Sequence, residues 1–300
     1  MIEPGKYRIN SGRGIACMVG GMGVLTASDA VVKWLTAGYP TGEIIFVRGL
    51  FVLIPILLIC LRSGGGLAGL RVVNVRGQVL RAVMFIVSVF CFLTGLRYNP
   101  LALNVAIAFA NPLFITALAP AMLGEHVGWR RWCAVLAGFA GVLIIVQPYG
   151  DVLNIYALLP LGAAAAGAFR DIVTRQISPT DSSASMLFWS TAAVSLAGLL
   201  TIAGGNWQAP PLSDFGWMVL TGVMSGIAHY LLIEAFVVAE AALVAPFRYS
   251  ALLWGVALGY ILWDELPAVH DWIGITLLVG SGLYIIHRQA TLRKAAPSKG

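Results

Sequence analysis

Charge is what this sequence has least of. Only 11% of its 300 residues are Asp, Glu, Lys or Arg, less than half the share found in a typical soluble domain. Cysteine is scarce too. Cys17, Cys60, Cys91 and Cys133 each sit in or beside an apolar run, none in a CxxC spacing, so they read as small hydrophobes rather than a disulfide framework or metal site. The four histidines are far apart and no HExxH is present, which removes the usual zinc-enzyme patterns. No phosphate-binding GxxxxGK[ST] loop occurs, so any work done must draw on gradients rather than bound nucleotide. GSG at 280–282 and GGMG at 20–23 lack the strand-to-helix context of a nucleophile elbow or nucleotide fold. No catalytic residues, metal or cofactor are expected, and the chain is not expected to be an enzyme.

What is present is apolar: 59% of residues, with a mean hydropathy of +0.87. Runs bounded by charge, Gly/Pro or Asn fall at residues 14–36, 43–62, 78–96, 101–123, 132–147, 154–173, 184–203, 215–236, 241–263 and 271–287. Their length suits a hydrocarbon core of about 30 Å. The class is an all-α integral membrane protein with ten spans. The first run follows Lys6, Arg8 and Arg13 as a leader's core would, but it is too long for one and is expected to remain as a span.

The net charge of +6 is scattered between the runs rather than gathered on one face, so it speaks of orientation in a membrane and not of nucleic acid. With the N-terminus inside, the inner segments hold Lys6, Arg8, Arg13, Arg62, Arg71, Arg76, Arg130, Arg131, Arg175, Arg288, Arg293, Lys294 and Lys299, and the outer side holds Arg97 and Lys33. Both termini are therefore expected in the cytoplasm. Arg48, Arg81, Arg170 and Arg248 lie within spans.

The chain also repeats itself. A shift of 140 places Glu125 on Glu265 and Trp132 on Trp272, and a shift of 142 places Asp29 and Lys33 on Asp171 and Arg175. The halves are expected at 1–150 and 151–300, with five spans each. An odd number inverts the second half relative to the first, the construction of many carriers with a midplane site.

The stretch NPLFITALAPAMLGEHVGWRRWCAVLAGFAGVLIIV (111–146), with its weaker echo over 241–286, resembles the drug/metabolite transporter superfamily, in particular its EamA-type ten-helix exporters and, among them, the YddG-type amino-acid exporters. The resemblance implies an inner-membrane secondary carrier that exports amino acids, aromatic ones included, or related metabolites by alternating access. Organic-cation export is the alternative. It also implies a central cavity from the first four helices of each half, with the fifth and tenth as peripheral supports. Where the first half has Asn111-Pro112, the second has Ala251-Leu252, which implies an asymmetric site.

Several polar and aromatic residues are candidates for that site. Pro112 should kink its span, and Asn111 beside it either faces a wet cavity or bonds to a neighbouring helix. Asp29 and Arg48 fall at similar depth and could pair, as could Asp171 with Arg170 or Arg175 beside it near the opposite face; such pairs are either gates or static. Arg248 and Tyr249 could hold a carboxylate and His229 a proton. Ser88 and Ser225 are midplane hydroxyls, and Phe92, Tyr98 and Trp254 are possible aromatic walls. The expected partners are a small-molecule solute and lipid, with the chain a monomer or weak oligomer.

Overall fold

The computed structural model describes residues 11–62, 70–146, 155–239 and 241–295, and among them there is no strand. Lys6, Arg8 and Lys299 lie outside the described residues, as do the side chains of Cys60, Arg62, Arg293 and Lys294. The helices are α1 (Ser11–Leu35), α2 (Thr41–Arg62), α3 (Val75–Tyr98), α4 (Leu101–Ala108), α5 (Asn111–Leu123), α6 (Trp129–Val146), α7 (Leu158–Ile177), α8 (Ser183–Leu200), α9 (Leu212–Val238), α10 (Ala241–Val244), α11 (Ser250–Trp263) and α12 (Val269–Ala295).

Among the described residues, eight stretches are long and apolar enough to cross a membrane, with α4 and α5 forming one of them. The other two expected spans fall on α2, which has 22 residues, and on the broken segment α10–α11. Large apolar side chains such as Leu136, Leu196 and Leu253 stand exposed on the outside of the bundle. In water such a surface would be costly; in lipid it is the ordinary state of a membrane helix.

The kink expected at Pro112 is a full break. α4 stops at Ala108, Phe109 and Ala110 turn, and α5 restarts with Pro112 in its first turn. Proline lacks the N–H that a continuing helix would need, and the first turn of a new helix is where that lack costs nothing. In the second half the same place is broken by the 3-10 turn Ala245–Tyr249, with Pro246 in its opening turn. Pro246 thus supplies the interruption in the second half, where Ala251-Leu252 stand in place of Asn111-Pro112. Both long spans are discontinuous at corresponding positions.

The turns after α5 and α11 match as well. Gly124 and Asp264, 140 residues apart, are both left-handed, with φ of 65° and 57°. Gly tolerates that conformation freely and Asp better than most residues. In each turn the next N–H reaches six residues back: Glu125 N–H to the Ala119 carbonyl at 3.4 Å and Glu265 N–H to the Gly259 carbonyl at 3.1 Å. This shared closure aims the two glutamates alike.

Helix ends sort onto two faces. One face, outer under the charge expectation, carries the Tyr39 hydroxyl donating to Asp214 at 2.6 Å and Asn99 Nδ2 donating to the Tyr156 carbonyl at 3.0 Å. The inner face carries the Arg13–Glu234 pair at 2.7 Å and the backbone N–H groups of Val73 and Asn74 donating to Asp181 at 2.9 and 3.0 Å. Packing follows the repeat: α1 lies along α9 as α7 lies along α3, α1 meets α11 as α7 meets α5, while α2 pairs with α8 and α6 with α12. Exchanging each helix for its counterpart reproduces this pattern. α2 and α8 also approach closely at their outer ends, where a Cβ on Gly198 would sit 2.7 Å from the Gly42 carbonyl oxygen.

Candidate functional site

A cavity of about 430 Å³ occupies the centre, bordered by α1, α2, α3, α7, α8 and α9 and by both helix breaks. Of the residues singled out in the sequence, Asp29, Arg48, Ser88, Phe92, Asn111, Pro112, Asp171, Ser225, His229, Arg248 and Tyr249 line it. Three do not. Tyr98 ends α3 at the outer face, where it stacks on Tyr156 with centroids 4.1 Å apart. Trp254 turns away and donates its indole N–H to the Val19 carbonyl at 3.2 Å. Arg175, four residues after Asp171 and so on the same helix face, does not pair with it, because Glu125 takes its Nη1 at 2.6 Å.

On the outer side of the cavity, Arg48 Nη2 stands 3.5 Å from Asp29 Oδ1. Its Nε and Nη2 donate to Ser225 Oγ at 3.0 and 2.7 Å. Ser225 Oγ in turn donates to the Thr221 carbonyl at 2.8 Å, and the Ser225 carbonyl accepts from His229 Nδ1 at 2.6 Å. Neutral His229 therefore carries its proton on Nδ1 and leaves Nε2 as an acceptor.

On the inner side the arrangement recurs with its residues exchanged. Arg81 donates Nε to Thr174 Oγ1 at 2.8 Å and Nη1 to the Ser190 hydroxyl and the Met186 carbonyl. Ser190 is the counterpart of Arg48 at the 142 shift, and Ser225 lies 144 residues after Arg81. The first half thus supplies both arginines and the second both serines, and each arginine crosses to the other half's serine. Asp171, the counterpart of Asp29, accepts from Arg170 Nε and Nη2 at 2.9 and 2.6 Å, and Arg170 also lies over the Phe85 ring at 5.1 Å. Arg170, beside Asp171 in the sequence, is its partner rather than Arg175, whereas Arg81 was not marked as a site residue; the exchange of Arg48 for Ser190 was the trace of Arg81's role.

The helix breaks form the middle of the cavity. Phe109 and Tyr249, also 140 apart, stack with centroids 4.6 Å apart. Asn111 Nδ2 faces the Ala164 carbonyl at 3.4 Å and Asp171 Oδ2 at 3.5 Å, an approach allowed by Gly167, where a Cβ would stand 3.0 Å from that nitrogen. Ser88 Oγ donates to the Ala163 carbonyl at 2.9 Å. The cavity-lining charges are three arginines and two aspartates. Arg48 and Arg170 each pair with an aspartate, whereas the guanidinium of Arg248, though within the field of Asp171, makes no side-chain hydrogen bond or ion pair among the described residues. The site therefore offers one uncompensated cation, aromatic rings, and Asn111 and His229 as neutral polar groups.

Comparisons with known proteins agree with this architecture. The model of the EamA-like transporter family matches residues 12–147 and again 154–287. The chain is similar to a riboflavin transporter of Vibrio cholerae, 30% identical over 83% of each chain. It is similar also to an S-adenosylmethionine uptake transporter of Rickettsia bellii, 27% identical over 88% of this chain and 90% of that one. The pseudopaline exporter of Pseudomonas aeruginosa is 26% identical over 84% of this chain and 88% of its own. A solved crystal structure superimposes with a TM-score of 0.65 over 93% of this chain and 98% of that one, at 18% identity, a likeness of fold alone. These relatives are named as transporters and not as enzymes; their cargoes do not single out the amino-acid exporters that the sequence resembled.

Proposed function

Because the chain belongs to the EamA-like transporter family and is a multi-pass membrane transporter of small molecules, we propose that its cargo is an amino acid, or an amino-acid-derived metabolite, bearing a carboxylate and a flat or apolar side group. The observation that carries this is Arg248, a guanidinium at a helix break that faces the cavity with no protein carboxylate of its own. A carboxylate docked there gains a charge-assisted hydrogen bond. The ammonium of the same solute finds Asp171 and the Asn111 carbonyl nearby, and its side group finds Phe85, Phe92 and the Phe109–Tyr249 stack. An excess cation in the cavity disfavours organic cations, the alternative reading of the fold.

The carrier sits in the inner membrane with both termini in the cytoplasm and exposes this one site to either side in turn, working as a monomer or weak oligomer; the inward positive charge and the exchanged contacts of the two halves support this. A second reading, a flat heterocycle held by stacking alone, is favoured by the likeness to riboflavin transporters.

The test is uptake into proteoliposomes of labelled phenylalanine, threonine, S-adenosylmethionine, riboflavin and a flat cation, with and without a pH gradient. Phenylalanine or S-adenosylmethionine should move, and Arg248→Gln should raise KM about tenfold to hundredfold, as loss of a hydrogen bond to a charged group implies. Riboflavin transport indifferent to Arg248→Gln would replace this reading with the second. Movement of the flat cation alone would refute both.

A further inference from the structure

The turns after α5 and α11 hold a matched pair of glutamates that no part of the cavity uses. Glu265 Oε1 accepts from Lys33 Nζ of α1 at 2.6 Å, and its Oε2 engages the same ammonium. Oε2 also accepts from the backbone N–H of Leu101 at 3.3 Å. Leu101 opens α4, and the cap residue before it, Pro100, has no side chain able to accept that N–H. One carboxylate thus joins the ends of three helices, α1, α4 and α11, on the outer face beyond the cavity. Lys33 is further seated over the Trp263 ring at 4.7 Å.

On the inner face, Glu125 takes Arg175 Nη1 of α7 at 2.6 Å. The shifts of 140 and 142 that carry Glu125 to Glu265 and Lys33 to Arg175 make this the same contact seen from the other side. Both pairs join one half of the chain to the other. They differ in exposure: the side chains of Lys33 and Glu265 are 10% and 28% exposed, those of Arg175 and Glu125 58% and 36%. The outer pair is sunk among helix ends, and the inner one is open to water.

We infer that Glu265 and Glu125 are positioning residues for transport, each a latch for its own face, and that in this structure the sunken outer pair holds its face shut while the inner pair, though made at 2.6 Å, is too exposed to water to do so. The close approach of α2 and α8 at Gly42 and Gly198 lies on the same outer face. A carboxylate is suited to the role because its pairing with Lys33 and its capping of the α4 N-terminus are both electrostatic. Buried, they hold; once wetted, an ion pair contributes little, so opening a face removes most of what its latch contributed. The inference rests on the cavity being a transport site but not on the identity of the solute.

The test reads sidedness without any solute. In a chain whose four cysteines are replaced, Val105→Cys places a thiol on the cavity wall, and a membrane-impermeant thiol reagent is applied to intact cells and to inside-out vesicles. Val269→Cys and Trp129→Cys, both exposed and at opposite faces, report which side is which. Glu265→Gln should raise labelling of the cavity thiol from the outer side about tenfold, the shift expected when a two-state equilibrium loses about 1.4 kcal/mol of bias. Lys33→Met should act like Glu265→Gln, Lys33→Arg should label like the parent, and Glu125→Gln should leave outer labelling unraised. Each variant is first shown to be monodisperse, so that loss of fold is not read as opening. Unchanged outer labelling in a folded Glu265→Gln, or an equal rise in Glu125→Gln, overturns the inference. The absence of transport of any of the solutes tried would strike the cargo reading and leave this one standing.

Discussion

Asp181 offers the clearest quantitative test of how the inner face is held. It lies in the turn between α7 and α8, is almost wholly buried, and accepts the N–H groups of Val73 and Asn74 at 2.9 and 3.0 Å and the Thr180 hydroxyl at 2.8 Å. Asp181→Asn keeps the shape but replaces one acceptor oxygen by an NH₂ facing a backbone donor. Loss of one hydrogen bond to a charged group costs about 1.5–3 kcal/mol. At about 2–4 °C per kcal/mol, a central loss of about 2 kcal/mol lowers Tm by about 4–8 °C. The pH dependence has a definite sign. Desolvation raises the Asp181 pKa, but the Val73 N–H, the Thr180 hydroxyl and the Asn74 N–H outweigh it and hold the carboxyl below its ordinary 3.8. The carboxylate therefore contributes its full stability above that ordinary value and loses it as pH falls through the lowered folded value. Thermal unfolding of parent and variant in detergent, followed from pH 7 downward, should show two melting curves that differ at neutral pH and converge in acid. Equal Tm values at pH 7, or a gap that persists unchanged in acid, would refute the account.

Two further substitutions separate the site from its supports. Gly167→Ala puts a methyl 3.0 Å from Asn111 Nδ2 and 3.5 Å from Ser88 Oγ; displacing Asn111 should raise KM for the transported solute about tenfold, measured by initial uptake rates, with Tm nearly unchanged. Gly274→Ala puts a methyl 2.6 Å from the Gly141 carbonyl oxygen, between the peripheral helices α6 and α12. It should lower Tm by several degrees, through an overpacking cost of about 1–3 kcal/mol, while KM stays at the parent value.

The spans were legible because lipid demands continuous apolar runs and internally bonded backbone. The runs at 78–96, 101–123 and 215–236 fall within α3, α4–α5 and α9. The depth of Asp29 and Arg48 was legible too, since residues counted from a helix end convert directly to distance at 1.5 Å each. Azimuth was not. Tyr98 and Trp254 were expected on the cavity wall from depth alone, and both face away from it. In helices apolar on every side, nothing in the residue pattern distinguishes the lipid face from the cavity face. Competition for partners was likewise hidden: Arg175 is placed as well for Asp171 as for Glu125 until the turn after α5 is fixed by Gly124.

The most informative letters were those that changed between the repeats. Where Arg48 becomes Ser190, the charge appears lost from the inner arrangement, yet Arg81 restores it from a different helix of the first half, with Ser225 answering in the outer arrangement and Ser190 in the inner one. Tyr39 and Asp181, also 142 apart, show the same exchange of parts. The Tyr39 hydroxyl donates to Asp214, and that hydrogen bond, with desolvation and the nearby acids Asp214 and Glu43, pushes its pKa up to about 12. It remains a donor at every physiological pH, as Asp181 remains an acceptor. Each loop is tied to the start of a helix in the other half, but with donor and acceptor reversed. An inverted duplication constrained only by sequence would keep residues in place. One constrained by the need to hold two faces alternately would keep the contacts and let the residues trade sides, and that is the pattern these pairs follow.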